Sequence, residues 1–298
     1  MLAADPRPLR IAITADLHYG SRQGGDSATV ALVAHLCEAP PDVLLLAGDV
    51  GAGDDFERCL TLFDGLDCRK ALVPGNHDIW VYSDDRRGDS WTVYREYLPA
   101  VCGRHGFHYL DQAPLALPES GLTIVGSMNW YDYSWSIDRL KEITPDWEAR
   151  LRLKRFRRGQ HNDYNYVRWP HTDASFTAEA VAALQRQLDD GPGAGGPVIV
   201  VTHPPPFRVL NYPLPPERGL DELMWEAFSG NTRLEELLQQ RAARIPLAFC
   251  GHTHYARTGE WAGIRGHNVG GDYHFKRLLW LDWPSGAIRA IEFGRTGS

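Results

Sequence analysis

Short apolar runs rich in valine, isoleucine and leucine recur along the chain, each bounded by glycine, proline or aspartate. Runs of this length and composition predict buried β-strands, which we place near 9–15, 43–48, 70–74, 122–127, 197–202 and 246–250. Three further runs, near 263–269, 277–283 and 287–293, are separated by turn-like segments. They predict a meander in the C-terminal part of the chain.

Apolar residues with helical spacing lie between several of these strands. The segments are 26–38, 54–65, 177–190 and 231–243. Each predicts a helix that covers a sheet, and Thr177 is a candidate capping residue for the third of them. Strands that alternate with helices predict an α/β protein whose strands are buried on both faces.

Residues 128–175 differ from this alternation of strands and helices because they are dense in aromatic side chains and arginine. Six basic residues fall within 147–158 alone. We interpret the segment as a cap-like insertion over one end of the sheet, within a single domain that spans 1–298. Two interpretations of its composition remain open. It is a solvated basic helix with packed aromatic residues, or it is a cap that helps to hold an anionic substrate.

Composition narrows the class of protein. A net charge of -7 gives no general reason to expect binding to nucleic acid, which usually requires a basic surface. Five cysteines without a CxxC spacing argue against a disulfide framework and favour a reducing compartment. No signal-peptide pattern and no apolar run long enough to cross a bilayer is seen in the sequence, so we expect a cytoplasmic protein without a membrane partner.

Polar residues with metal-binding side chains follow five of the predicted strands. The motifs are Asp16-Leu17-His18, Gly48-Asp49, Gly75-Asn76-His77-Asp78, His203 and Gly251-His252-Thr253-His254. In α/β sheets, ligands gather outside the carboxyl ends of the strands, so residues far apart in sequence can share one site. Carboxylate, imidazole and amide oxygen groups suit manganese, iron, zinc or magnesium.

The number of these donors indicates more than one cation. The motifs contain at least seven such ligands, which are too many for a single tetrahedral zinc but suit two cations that share a bridging carboxylate. Asp49 is the candidate bridge because it stands alone at the end of its strand. Two cations about 3.5–4 Å apart can activate a water molecule and neutralise phosphate oxygens during an in-line displacement.

The ordered series DxH, GD, GNHD, H and GHTH, over residues 16–254, resembles the calcineurin-like metallophosphoesterase superfamily. The resemblance implies an α/β fold, namely a four-layer αββα sandwich of two mixed β-sheets flanked by helices. It also implies a centre of two metal ions, with Mn²⁺ as the first expectation and Fe, Zn or Mg as alternatives. By the same resemblance Asp16, His18 and His254 hold the first ion. Asn76, His203 and His252 hold the second ion, and Asp49 bridges the two.

His77 resembles the family's non-ligand histidine, which protonates the leaving oxygen or stabilises the phosphoryl charge. The adjacent Asp78 is expected either to orient His77 or to cap the following segment. Because neighbouring cations lower the pKa of a histidine, a catalytic His77 also needs a carboxylate that offsets them. Asp54 and Asp78 are the nearest candidates in sequence.

Candidate substrate contacts are less well defined, and we select Tyr131, Arg168, Arg208 and His267. An arginine can hold a phosphate with two parallel hydrogen bonds, which is the reason for including Arg168 and Arg208. The aromatic residues of the insertion are expected either to pack it onto the core or to stack against a base.

The resulting hypothesis is a metal-dependent phosphohydrolase acting on a small phosphorylated substrate. The intact His77 and the aromatic insertion favour phosphodiesters, such as cyclic or oligomeric nucleotides. A phosphomonoesterase is the next alternative. A nuclease would be supported only by the basic run at 150–158, and a non-catalytic scaffold would be expected to have lost ligands that this sequence retains.

Overall fold

The computed structural model describes residues 8–191 and 195–294. Its strands are β1 (Leu9–Thr14), β2 (Val43–Ala47), β3 (Arg69–Val73), β4 (Phe107–Tyr109), β5 (Leu115–Leu117), β6 (Leu122–Ser127), β7 (Val198–Thr202), β8 (Leu247–Cys250), β9 (Arg257–Trp261), β10 (Ile264–Asn268), β11 (Lys276–Trp283) and β12 (Ala287–Phe293). Its α-helices are α1 (Gln23–Glu38), α2 (Asp55–Thr61), α3 (Ser90–Thr92), α4 (Leu98–Arg104), α5 (Ile137–Ile143), α6 (Trp147–Leu153), α7 (Asp163–Tyr166), α8 (Asp173–Asp190), α9 (Leu220–Ala227) and α10 (Thr232–Gln239). A π-helical turn, Val93–Tyr97, joins α3 to α4.

The strands form two six-stranded sheets. The first has the order β12-β11-β1-β2-β3-β4, in which β1 to β4 are parallel, β11 is antiparallel to β1, and β12 is antiparallel to β11. The second has the order β5-β6-β7-β8-β10-β9, with β6, β7, β8 and β10 parallel and the two edge strands antiparallel. Both sheets are therefore mixed, as the family resemblance implied.

Side chains alternate between two faces along each central strand, and this alternation builds the layers. One buried cluster joins Ile13 and Leu45 of the first sheet to Ile199 and Phe249 of the second, so the sheets pack face to face. Side chains on the other face of the first sheet pack with α1, α2 and α4. Those on the outer face of the second sheet pack with α8 and α10. The predicted αββα sandwich is thus confirmed.

The nine predicted strands are all present, each with both ends within one residue of the predicted position. The predicted meander is wrong, however. β10 lies in the second sheet between β8 and β9, and only β11 and β12 form an antiparallel pair beside β1. The chain crosses from one sheet to the other between β10 and β11, and local turn signals cannot reveal such a crossing.

Helix α8 begins earlier than the sequence predicted. Its cap is Thr172, whose side chain accepts a hydrogen bond from the backbone N–H of Ser175, while the Ser175 hydroxyl accepts one from the N–H of Thr172. Thr177, the predicted cap, is fully buried inside the helix. The capping box is real but lies five residues upstream, where serine replaces the glutamate of the usual pattern.

Residues 128–175 contain α5, α6 and α7 and the first residues of α8. Trp130 and Tyr131 at the start of this segment are fully buried and stacked, with ring centroids 4.7 Å apart. Trp135 and Phe156 are buried as well, so aromatic side chains of this segment pack it onto the core, which was one of the two expectations for them. Among the described residues, no helix combines the length and the apolar character needed to span a bilayer.

Candidate metal centre

The loops that follow β1, β2 and β3 in one sheet meet those that follow β7 and β8 in the other. The N–H of Asp16 donates to the carbonyl of Gly48 at 3.0 Å, and the N–H of Gly251 donates to the carbonyl of His203 at 3.0 Å. The N–H of His252 in turn donates to the Asp16 carboxylate at 2.9 Å, which links the two sheets. The carboxyl ends of both sheets consequently form one site.

Four of the predicted ligands form a first group around Asp16. One donor atom each of Asp16, His18, Asp49 and His254 lies within 4.8 Å of all the others. The Nε2 atoms of His18 and His254 are 2.8 Å apart. His18 Nε2 is 3.5 Å from Asp49 Oδ2, and His254 Nε2 is 3.7 Å from Asp16 Oδ1.

A second group forms on the other side of Asp49. The amide oxygen of Asn76 is 3.2 Å from His203 Nε2 and 3.2 Å from His252 Nδ1. His203 Nε2 is also 3.3 Å from Asp49 Oδ2. Asp49 Oδ2 therefore lies between the two groups, which is the position that a bridging carboxylate requires.

The residues present fit a pair of cations. Asp16 Oδ2 is buried and has no hydrogen-bond partner among the described residues, an arrangement that is costly unless something else binds the oxygen. Imidazole nitrogens and carboxylate oxygens that converge in this way are the donors that divalent ions prefer. Five of the seven candidate ligands also adopt a positive φ, namely Asp16, His18, Asp49, His252 and His254. Backbone strain of this kind clusters at functional sites.

Two glycines allow the loops to approach this closely. Gly48 has a φ of +86°, and a Cβ atom there would lie 2.3 Å from Nδ1 of His203. At Gly75 a Cβ atom would lie 2.1 Å from the Asp49 carboxylate oxygen Oδ1. Any side chain at either position would displace a candidate ligand.

His77 lies at the edge of this cluster. Its N–H donates to Asp49 Oδ1 at 2.9 Å, and its ring stacks on Trp80 with centroids 3.6 Å apart. Burial lowers the pKa of His77, while the carboxylates of Asp49 and Asp163 act in the opposite direction. Asp163 is therefore an offsetting carboxylate that the sequence analysis did not identify. The exposed Asp54 was the wrong choice.

Asp78 has a different place from the one expected. It is fully buried, and its two oxygens accept hydrogen bonds from the N–H groups of Gly51 at 2.9 Å and Gly75 at 2.7 Å. Burial and the neighbouring Asp49 carboxylate raise the pKa of Asp78 to about 7. These hydrogen bonds hold the loops that carry the candidate ligands, and they do not reach the His77 ring.

A cavity of about 710 Å³ opens over the cluster. Asp49, Asn76, His77, His252 and His254 contribute to its floor. Its walls carry aromatic side chains, namely Trp80, Tyr212, Trp225 and Tyr273. The insertion supplies a further wall formed by residues 156 and 158–162.

The four predicted substrate contacts lie away from this cavity. Tyr131 is fully buried and donates to Asp163 at 2.7 Å. Arg168 lines a separate cavity within the insertion, and Arg208 is hydrogen-bonded to the carbonyl of Ser134. His267 stacks on Phe249 and lines another surface depression.

Other residues of the insertion line the cavity instead. Arg158 is exposed and belongs to the basic run at 150–158. The sequence analysis identified this run but did not place Arg158 at the cavity. His161 is 8% exposed and also lines the cavity. Asp163 lies behind the floor and binds Asn76. The short segment His161-Asn162-Asp163 is rich in potential ligands. It was the signal in the sequence that could have identified these residues as part of the site.

Comparisons with known proteins agree with this fold. The phosphopantetheinyl hydrolase PptH from Mycobacterium tuberculosis has a similar structure, with a TM-score of 0.66 and 22% sequence identity over 90% of this chain and 91% of that chain. TT1561 of Thermus thermophilus has a TM-score of 0.55 at 14% identity, over 97% of this chain and 100% of that chain. A dimetal phosphatase from Danio rerio has a TM-score of 0.55 at 12% identity, over 96% and 99%.

These identities are low enough that the three structures establish the fold alone. No curated protein matches this chain in sequence. The family model for calcineurin-like phosphoesterases, in contrast, matches residues 9–256, a range that includes all seven candidate ligands. This chain therefore belongs to the calcineurin-like phosphoesterase family of metal-dependent phosphohydrolases.

Proposed function

We propose that this protein is a phosphodiesterase that hydrolyses small, nucleotide-like phosphate esters with a water molecule activated by two cations. The observation that carries the proposal is the convergence of the two donor groups on Asp49 Oδ2, 3.5 Å from His18 and 3.3 Å from His203, beneath the cavity. Mn²⁺ is the proposed ion, with Fe, Zn or Mg as alternatives. The donor set of imidazole, carboxylate and amide oxygen suits all of them.

Asp16, His18 and His254 hold the first cation in this proposal, Asn76, His203 and His252 hold the second, and Asp49 bridges. Cations in such a centre polarise phosphoryl oxygens and lower the pKa of a bound water molecule. His77 faces the same cavity from its stacked position on Trp80 and supplies a proton to the leaving oxygen. Asp78 accepts hydrogen bonds from the N–H groups of Gly51 and Gly75 and so holds their loops in place. Its role in the proposal is structural.

The walls of the cavity support a diester substrate. A phosphodiester carries a second organic group that must find a surface, and Trp80, Tyr212, Trp225 and Tyr273 offer aromatic faces beside His77. A volume of about 710 Å³ is typical of small-molecule sites. We propose that the side chain of Arg158, which lies at the wall of the cavity, contacts an anionic group of the substrate. It replaces Arg168 and Arg208 in this role.

A phosphomonoesterase is the second candidate. The Danio rerio structure is described as a dimetal phosphatase, and it overlaps this chain over almost its whole length. The M. tuberculosis structure is described as a phosphopantetheinyl hydrolase, which names another phosphate-containing group as a substrate. The shared fold is compatible with either class of ester.

The two candidates can be separated with paired substrates. We expect the Mn²⁺-loaded protein to hydrolyse bis(p-nitrophenyl) phosphate faster than p-nitrophenyl phosphate, and we expect Asp49→Asn to abolish both activities. A clear preference for the monoester would replace the diesterase with the monoesterase. Failure to hydrolyse either ester with Mn²⁺, Fe²⁺, Zn²⁺ or Mg²⁺ would overturn the proposed function itself.

The location of the protein is also proposed to be the cytoplasm. All five cysteines are unpaired, and Cys59, Cys102 and Cys250 are buried. Free buried thiols are usual in reducing compartments. Fractionation of cells that produce the protein tests this, and recovery from an extracytoplasmic fraction would contradict it.

A further inference from the structure

One buried carboxylate of the insertion reaches the candidate metal centre. Asp163, at the start of α7, is 1% exposed. Its Oδ1 atom accepts hydrogen bonds from Nδ2 of Asn76 at 2.9 Å and from Nε1 of Trp80 at 2.8 Å. Its Oδ2 atom accepts one from the hydroxyl group of Tyr131 at 2.7 Å.

The first of these hydrogen bonds fixes which end of the Asn76 amide faces the centre. Because the NH₂ group is bound to Asp163, the amide oxygen points towards His203 and His252, at 3.2 Å from each. Only the oxygen of an amide can bind a cation, since the NH₂ group is a donor. A reversed amide would place two N–H groups where the second cation is proposed to bind.

The other partners of Asp163 strengthen this selection. The indole N–H of Trp80 and the hydroxyl group of Tyr131 also donate to its carboxylate, and the ammonium group of Lys154 donates to that hydroxyl at 2.9 Å. The two oxygens of Asp163 thus act as acceptors for three side chains, and a reversed amide would turn its own acceptor oxygen towards them.

The same carboxylate also supports His77. The indole ring of Trp80 donates to Asp163 and stacks on the His77 ring at 3.6 Å. A single side chain of the insertion is thus joined to a candidate ligand on one side and to the support of the candidate proton donor on the other. Asp163 therefore connects the insertion to Asn76 and, through Trp80, to His77, although it does not line the cavity itself.

We propose that Asp163 is a positioning residue, which orients Asn76 for the second cation and holds Trp80 beneath His77. The inference rests on the proposed function, because it presupposes that Asn76 binds a cation. Partners that orient metal ligands typically contribute about 10–100-fold to metal affinity. The positioning role therefore predicts that substitution of Asp163 weakens binding of the second cation and leaves binding of the first unchanged.

Calorimetric titration of the metal-free protein with Mn²⁺ tests the proposal. We expect the wild type to bind two ions, and Asp163→Ala to bind the first normally and the second about 10–100-fold more weakly. Asp163→Asn keeps an acceptor oxygen for Asn76 and Trp80, so it should recover most of this loss. Binding of both ions by Asp163→Ala with wild-type affinity would overturn the inference alone.

Asp173 provides a matched control. It is a partly buried carboxylate of the insertion, which accepts hydrogen bonds from Trp130, Tyr133 and Lys154, but it has no hydrogen bond to a candidate ligand. Asp173→Ala should bind both ions as the wild type does. An equal loss in this variant would assign the effect to folding of the insertion and overturn the proposal. A wild type that binds no Mn²⁺ would overturn both the inference and the proposed function.

Discussion

In the proposed function, His77 differs from the seven candidate ligands because it donates a proton to the leaving group and holds no cation. Its side chain is 17% exposed towards the cavity, and its Nε2 atom is 3.8 Å from Asp49 Oδ2. We expect His77→Ala to lower kcat by about 10²–10⁴-fold, the usual contribution of general acid catalysis. Mn²⁺ stoichiometry measured by elemental analysis should stay at the wild-type value.

The choice of leaving group makes this test specific. A nitrophenolate leaves without a proton, whereas an alkoxide needs one, so the loss in His77→Ala should be larger for an alkyl ester than for a nitrophenyl ester. Equal losses for both esters would assign His77 to stabilisation of the phosphoryl charge. Loss of bound metal would instead make it a ligand.

Asp111 allows a test of pH dependence away from the metal centre. Its Oδ1 accepts hydrogen bonds from the N–H of Met128 and the hydroxyl of Tyr94, while its buried Oδ2 has no hydrogen-bond partner among the described residues. Burial raises the pKa of Asp111 to about 6. Between pH 4 and 6 the folded state therefore holds a proton on Asp111 that the unfolded state has released. The contribution of Asp111 to the free energy of unfolding consequently falls as the pH rises.

We expect Asp111→Asn to remove that loss, because the amide is never charged. The difference in free energy of unfolding between Asp111→Asn and wild type should grow by about 2–3 kcal/mol as the pH rises from about 4 to above 6. Urea denaturation across this pH range measures it. A difference that does not change with pH would show that Asp111 has an ordinary pKa in the folded protein.

Residues were predictable where they follow a strand, and not where they lie in the insertion. Asp16, Asp49 and His203 end apolar runs, so the sheet itself brings them together. Arg158 lies in a loop and Asp163 begins the short helix α7, and the path of this part of the insertion depends on tertiary packing. No periodicity in the sequence indicates that path, and two of the four predicted substrate contacts, Tyr131 and Arg168, were misplaced for the same reason.

At the level of elements, the strand-to-loop turns determine whether the centre can form. Gly48 and Gly53 both have a positive φ, but a Cβ atom at Gly48 would overlap the His203 ring while one at Gly53 meets nothing within 4 Å. Gly53→Ala should therefore cost only about 1–2 kcal/mol of backbone strain. Gly48→Ala should cost more, because the ring of His203 must also move.

Metal titration and denaturation of the two variants provide the comparison. We expect Gly48→Ala to lose Mn²⁺ affinity, and Gly53→Ala to retain it while losing a little stability. Equal metal affinity in both variants would show that the turn after β2 tolerates a side chain. Such a result would contradict the close approach of Gly48 to His203.

The eight inner strands, the edge strand β12 and four of the helices could be read from the sequence, whereas the edge strands β4, β5 and β9 could not. β4 and β5 have three residues each, and they lack the long apolar run that marks a buried strand. The assignment of β10 to the second sheet depends on its pairing with Leu247–Cys250, which is not encoded within the strand. Pairing partners are a property of the whole chain, so local patterns did not determine them.

At the level of the whole molecule, the candidate centre joins the two sheets. Asp16, Asp49 and Asn76 follow strands of the first sheet, while His203 and His252 follow strands of the second. Cations bound between them would connect both layers of the sandwich. Because the unfolded chain cannot assemble these donors, binding free energy adds to the free energy of unfolding.

Addition of Mn²⁺ to the metal-free protein should therefore raise its Tm. At a free concentration 100 times the Kd, one ion adds about 2.7 kcal/mol, which corresponds to a shift on the order of 5 °C for a chain of this size. Asp49→Asn removes the shared carboxylate and should reduce the shift. Asp54→Asn, at an exposed position in the following loop, should preserve it. A Tm unaffected by Mn²⁺ in the wild type would mean that these donors do not bind the ion in the folded state.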